Sequence, residues 1–222
     1  MNIFDDLSYQ YKKGGVSNKI IFWNIGAFLL SFFFYQFKLG VFNFPNGLPL
    51  DSSYQALIYQ PWTLITYAFL HTGFLHLFFN LMIFNYSSQL FLTFFSQKQL
   101  LGLYILSAIF AGLCFVGSYS LMDSSSKIVG ASGAVMAILV ATTTYRPLME
   151  VRLMFLGTIK LWYLTAIIVL VDAMQILVEN TGGHIVHIAG SIFGFIFVKL
   201  IVNGIDLLKI ISICSDFFVD LF

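Results

Sequence analysis

Six long apolar segments follow one another along this 222-residue chain, and they constrain its fold more than any other feature. A helix needs about 20 mostly apolar residues to cross about 30 Å of hydrocarbon. Only 9% of the residues are charged, so the apolar material exceeds what one soluble core could bury. We therefore predict an all-α, polytopic membrane protein with six transmembrane helices. The predicted spans are 20–37, 69–95, 100–121, 130–145, 161–178 and 184–202.

The distribution of Lys and Arg predicts the orientation, because cytoplasmic flanks are enriched in these residues. With the N-terminus inside, the inner flanks hold Lys12, Lys13, Lys19, Lys98, Arg146, Arg152, Lys160, Lys199 and Lys209, and the outer flanks hold Lys38 and Lys127. Both termini are therefore predicted to be cytoplasmic. This organisation divides the chain into an N-terminal cytoplasmic segment (1–19), a six-span core (20–203) and a cytoplasmic or interfacial amphipathic tail (204–222).

Charge and cysteine usage exclude several classes of protein. The net charge is +1 without any basic block, which excludes nucleic acid as a partner. Cys114 and Cys214 both lie in apolar stretches far apart in sequence, so they are interpreted as buried small hydrophobes rather than a disulfide. Trp62 and Tyr67 are interpreted as anchors at the membrane interface.

Polar residues in the predicted spans are functional candidates, because ionisable groups are rare there. His76 and Asn80 are four residues apart and share one helix face. Ser132 lies among small residues at the start of the fourth span, and His187 lies early in the sixth. The predicted orientation places the starts of the second, fourth and sixth spans on the outer side. These four polar residues are therefore expected to share one cavity in the outer leaflet.

The residue types in this cavity match the needs of acyl transfer. A serine is a weak nucleophile and needs a base within hydrogen-bond reach, for which His187 is the candidate. The developing oxyanion needs donors, which His76, Asn80 and the unpaired backbone N–H of Ser132 could provide. Gly190 and Gly194 would allow the sixth helix to approach the fourth closely, where Gly130 and Gly133 offer a thin surface.

Two further ionisable residues have no assigned catalytic role. Asp172 is the only acid within a predicted span, in the middle of the fifth, and it is interpreted as a buried polar contact rather than a third catalytic member. His184 is expected near the outer mouth, hydrogen-bonded to loop backbone or water.

Three motifs in order on spans two, four and six resemble the signature of the rhomboid proteases. They are His71-x4-His76-x3-Asn80, Gly130-Ala131-Ser132-Gly133 and His187-x2-Gly190-x3-Gly194. The resemblance implies an intramembrane serine endopeptidase with a Ser132/His187 dyad, an oxyanion hole from His76, Asn80 and the Ser132 amide, and a structural His71 that braces the first outer loop.

The same resemblance implies the setting of the reaction. The expected substrates are single-span or polytopic membrane proteins in the lipid bilayer, cut near the outer leaflet, and the expected location is the bacterial cytoplasmic (inner) membrane. No cofactor or catalytic metal is expected. A substrate helix is expected to enter past the fifth span and the loop at 179–183.

The chain departs from the family pattern at two positions. The outer loop reads Trp62-Thr63 where relatives often carry Trp-Arg, so the loop must be braced differently. Met136 stands where many relatives place an aromatic residue against the base, so the base is expected to be held less firmly.

Three other classes of function remain open. The four histidines His71, His76, His184 and His187 could gather a zinc ion, although the chain has no His-Glu-x-x-His motif and no obvious further ligand. A catalytically silent relative would bind or escort membrane proteins without cutting them. A transporter or channel would require half-helices or charged pore residues, which the sequence does not suggest.

Overall fold

The computed structural model describes residues 2–36, 39–122, 124–153, 157–176, 178, 180–205 and 207. Lys38, Glu179, Lys209 and Cys214 lie outside the described residues, as does most of the predicted tail at 204–222. The amphipathic character of that tail therefore stays a prediction.

The described residues are predominantly helical, which confirms the all-α fold class. In chain order the helices are α1 (Ile3–Lys13), α2 (Gly15–Ser31), α3 (Tyr54–Tyr59), α4 (Thr63–Thr66), α5 (Phe74–Leu92), α6 (Gln97–Met122), α7 (Ser132–Tyr145), α8 (Leu161–Gln175) and α9 (Thr181–Val202). Three short antiparallel pairs join β1 (Tyr35–Gln36) to β2 (Val41–Phe42), β3 (Leu50–Asp51) to β4 (Lys127–Ile128), and β5 (Glu150–Leu153) to β6 (Gly157–Lys160). Short 3₁₀ turns lie at Phe32–Phe34 and Tyr67–Phe69.

The six predicted spans correspond in order to α2, α5, α6, α7, α8 and α9, but their lengths differ. Within the described part of the chain, three helices are long and apolar enough to cross a membrane, or four if the bent pair Thr63–Phe69 and Phe74–Leu92 is one span. α7 has 14 residues and α8 has 15. At about 1.5 Å per residue each covers roughly 21–23 Å, short of a full bilayer. The number of six membrane crossings therefore stays a prediction. The protein is nevertheless a multi-pass membrane protein.

The second predicted span begins later than expected. The prediction started the helix at residue 69, but the chain bends by 97° between Phe69 and Phe74. Gly73 is fully extended, with φ 178° and ψ 166°, so it cannot continue the preceding turn. The break keeps His71 out of the helix and places His76 in the first turn of α5.

Helix α7 is the centre of the bundle. Residues 133–139 are all buried, because α7 packs against α5, α6, α8 and α9. Its contact with α9 is backbone against backbone. A Cβ atom at Gly190 would overlap the carbonyl of Gly133, and one at Gly194 would overlap the carbonyl of Ala137. The contacting residues follow the same order in both helices, Gly133 before Ala137 and Gly190 before Gly194, so α7 and α9 run parallel.

The described part of the long connection between α2 and α5 is tied to the segment before α7. Leu50 pairs with Ile128 and Asp51 with Lys127 across β3 and β4. Tyr67 is 1% exposed, and its hydroxyl donates a hydrogen bond of 2.9 Å to the carbonyl of Ala108 in α6. The interpretation of Tyr67 as an interface anchor is therefore wrong, since its hydroxyl is satisfied inside the bundle. Trp62, by contrast, is 52% exposed.

Candidate active site

Ser132 is the first residue of α7, and the backbone before it is held in place. Gly130 has φ +137°, a conformation that side-chain-bearing residues rarely adopt, and its N–H donates to the carbonyl of Tyr67 at 2.9 Å. The first intrahelical bond of α7 runs from the N–H of Val135 to the carbonyl of Ala131. The N–H groups of Ser132 and Gly133 therefore have no intrahelical acceptor and remain available to a ligand.

The parallel packing of α7 and α9 brings His187 level with Ser132. Gly133 lies against both Val186, the neighbour of His187, and Gly190, one turn further along α9. Ser132 and His187 are both half-buried at this end of the helix pair. Their side chains are not hydrogen-bonded to each other in this structure. Such catalytic hydrogen bonds are often long without substrate and tighten in the reactive complex.

Asp172 is the residue whose importance the sequence did not reveal. Its Oδ1 lies 2.9 Å from Nδ1 of His187 and 2.7 Å from Nδ1 of His184. The prediction of a buried polar contact is confirmed, since Asp172 is only 7% exposed, but it lies in the last turn of α8 rather than the middle of a span. His184 is bonded to this carboxylate, which corrects the expectation of loop backbone or water.

The Asp172 contact sets the tautomer of His187. A carboxylate only accepts hydrogen bonds, so Nδ1 of a neutral His187 carries the ring proton and Nε2 keeps its free lone pair. Nε2 is then the atom that can accept a proton from a hydroxyl. Met136, which was expected to lie against His187, packs with Leu139, Val151 and Leu161 in a separate apolar cluster. The ring of His187 is therefore held by a carboxylate here.

His76 has the opposite tautomer, which directs a donor to the site. The backbone N–H of Thr72 donates to Nδ1 of His76 at 3.4 Å, and the Thr72 hydroxyl lies 3.1 Å from the same nitrogen. Because Nδ1 accepts, the proton of a neutral His76 is on Nε2. A Cβ placed on Gly130 would lie 3.0 Å from His76 Nε2 and 3.7 Å from Ser132 Oγ. Only a glycine at 130 leaves the space between these two groups open.

Asn80 and His71 support His76 from two sides. Asn80 is buried, and its side-chain amide donates to the carbonyl of His76 at 2.9 Å, which occupies one of its two N–H groups. His71 is fully buried and packs edge-to-face on His76 with ring centroids 4.9 Å apart.

The four histidines fall into two pairs rather than one metal-binding group. His71 and His76 belong to one pair, while His184 and His187 share Asp172. The ligating atoms of Asp172, His184 and His187 lie within 4.8 Å of one another. A carboxylate therefore does stand beside two histidines, contrary to the expectation that no further ligand was placed. The sequence signal was the three-residue spacing of His184 and His187, which puts both rings on one face of α9.

The fold defines a helical, multi-pass membrane protein with a cluster of polar side chains among its helices. A family model described as "Rhomboid domain" matches residues 59–204, about two thirds of the chain. The protein belongs to the rhomboid family, as the three motifs suggested. The match runs from the end of α3 to the end of α9 and leaves out α1 and α2. No curated protein sequence matches this chain.

Proposed function

We propose that this protein is an intramembrane serine endopeptidase in which Ser132 is the nucleophile and His187 the base. The observation that carries the proposal is the contact between α7 and α9 at Gly133 and Gly190, which brings Ser132 level with His187 on a neighbouring helix. Membership of the rhomboid family supports the same reaction class, since that family usually consists of serine proteases of the membrane.

The proposed reaction follows from the tautomers of His187 and His76. Ser132 Oγ attacks the scissile carbonyl carbon while His187 Nε2 takes the hydroxyl proton. Asp172 stays ionised and stabilises the resulting imidazolium through its bond to Nδ1–H. As the carbon–nitrogen bond breaks, His187 returns that proton to the leaving amine. A water molecule, deprotonated in turn by His187, then hydrolyses the acyl-enzyme.

The oxyanion is proposed to form in the space that Gly130 leaves open. The backbone N–H of Ser132 and the Nε2–H of His76 are donors on two sides of this space. The second side-chain N–H of Asn80 is the third candidate donor. Losing one such donor typically costs about 10²–10³-fold in kcat, so these groups account for a large share of the expected rate.

The substrate is proposed to be the transmembrane helix of another membrane protein, cut near the outer leaflet. A helical backbone hides its carbonyls in intrahelical bonds, so the scissile segment must unwind first. We expect preference for substrates with Gly, Pro or Ser near the outer end of the helix. Entry beside α8 is supported by its apolar outward surface, which includes Ile167, Leu170 and Met174. The proposed location is the bacterial inner membrane with both termini cytoplasmic.

The test is cleavage of a model single-span substrate by purified protein in liposomes. Ser132→Ala and His187→Ala should each abolish the product. Ser120→Ala is the matched control, because Ser120 is an exposed helical serine in α6, and it should cleave like the wild type. If the wild type binds the substrate stably without cutting it, the protein is instead a silent escort factor of the same fold.

A further inference from the structure

Asp172, His184 and His187 form a cluster that the proposed reaction uses only in part. The reaction needs Asp172 and His187, yet His184 reaches the same carboxylate oxygen at the shorter distance of 2.7 Å. The three side chains are 10%, 12% and 24% exposed, so the cluster is largely withdrawn from solvent but not sealed. It joins the last turn of α8 to the first turns of α9.

A bound cation would balance the negative charge of this cluster. Among the described residues, the ion-pair partners of Asp172 are the two imidazoles. Neutral imidazoles donate hydrogen bonds but do not cancel a buried negative charge, which is costly in a membrane protein. A divalent cation would cancel it and would have three donors within 4.8 Å of one another.

We propose that Asp172, His184 and His187 form an inhibitory Zn²⁺ site. Two imidazole nitrogens and one carboxylate oxygen are a ligand set that suits zinc, and a fourth position stays open to water. Zinc–ligand bonds of about 2.0–2.2 Å place neighbouring ligand atoms roughly 3.3 Å apart in a tetrahedron. The two nitrogen–oxygen distances are 2.7 and 2.9 Å, so each needs to open by about half an ångström, and the two imidazole nitrogens, which lie within 4.8 Å of each other, need to reach the same separation.

Zinc at this site would switch off the proposed protease by a shift of tautomer. The metal takes the lone pair of Nδ1 of His187, so the ring proton that Nδ1 carried moves to Nε2. Nε2–H cannot accept the proton of Ser132, and the base is lost without any change in fold. This consequence rests on the proposed function, whereas metal binding itself does not.

Metal binding is tested first on the full chain carrying Ser132→Ala, with any histidine tag removed, in detergent. Zn²⁺ titration against a fluorescent chelator, repeated with Co²⁺ by visible absorption, should show saturable binding of one ion per chain. Adding His184→Ala or Asp172→Asn should each weaken it by about tenfold or more, since each removes a ligand. Asp51→Asn is the matched control, because it neutralises a carboxylate in the outer loop, and it should bind like the parent.

Inhibition is tested second, on the active chain. Zn²⁺ should stop substrate cleavage and a chelator should restore it, while His184→Ala, compared with its own rate without Zn²⁺, should need about tenfold more Zn²⁺ for inhibition. Absence of Zn²⁺ binding overturns the proposed site. Zn²⁺ binding that is unchanged in both His184→Ala and Asp172→Asn also overturns it, provided that thermal unfolding shows both variants to be folded. Ligand-dependent zinc binding by a chain that never cleaves substrate overturns the proposed function and leaves the site standing.

Discussion

Replacing Gly190 by alanine perturbs the contact on which the proposed catalytic geometry depends. The added Cβ would overlap the carbonyl of Gly133, the residue directly after the proposed nucleophile Ser132. The obstacle is backbone, so it cannot swing aside like the end of a flexible side chain. The two helices must therefore separate near Ser132 in α7 and His187 in α9.

The expected magnitude follows from the size of this overlap. Non-bonded atoms settle at roughly 3.5 Å, so the added Cβ and the carbonyl oxygen of Gly133 must move apart by about 1.5 Å. Overpacking of this kind costs about 1–3 kcal/mol of folding stability. A misplacement of about 1 Å between nucleophile and base costs about 10²-fold in rate. We therefore expect Gly190→Ala to fold, to melt at a lower temperature, and to lose about two orders of magnitude in kcat.

The assay is cleavage of a single-span substrate in liposomes, with thermal unfolding measured on the same preparations. Gly117→Ala is the matched control, because a Cβ on this glycine in α6 meets no atom within 4 Å. It should keep full activity. Gly194→Ala creates a similar overlap one turn deeper, against Ala137, so it should destabilise similarly and lose less activity. Full activity in a stably folded Gly190→Ala protein would refute the proposed role of this contact.

Three other substitutions have defined outcomes. Asp172→Asn should lower kcat by about 10²-fold or more with little change in KM, because an amide no longer fixes the tautomer of the base; an unchanged kcat would leave the carboxylate purely structural. His76→Ala should lower kcat by about 10²–10³-fold through loss of an oxyanion donor, while its melting temperature shows whether the fold is intact. Tyr67→Phe should cost about 0.5–1.5 kcal/mol in unfolding measurements, because it removes the hydrogen bond from the Tyr67 hydroxyl to the carbonyl of Ala108; Tyr59→Phe, which removes a hydroxyl from a side chain that is 79% exposed, should cost almost nothing.

The sequence was sufficient where the signal lies within one helix or one short motif. The apolar segments predicted the order of the helices, and the three motifs predicted the family. Positions of small residues indicated which helix faces could meet, and Gly190 does lie on Gly133. These inferences needed only helix periodicity and the chemistry of the side chains.

The sequence was insufficient where the outcome depends on how separate elements turn toward one another. Asp172 lies on α8, and its contact with His187 depends on the rotation of α8 about its own axis relative to α9. The extended Gly73 and the bend before α5 depend on how the connection between α2 and α5 packs, as does the buried position of Tyr67. The hydropathy of these segments carries none of this information.

Labelling with a fluorophosphonate probe tests the central claim most directly, because such a probe reacts with a serine only when a neighbouring base activates it. The protein would be labelled in liposomes and the modified residue mapped by mass spectrometry, alongside His187→Ala. We expect the label on Ser132 in the wild type and none in the variant. Labelling of a different serine, or equal labelling of Ser132 without His187, would contradict the proposed dyad.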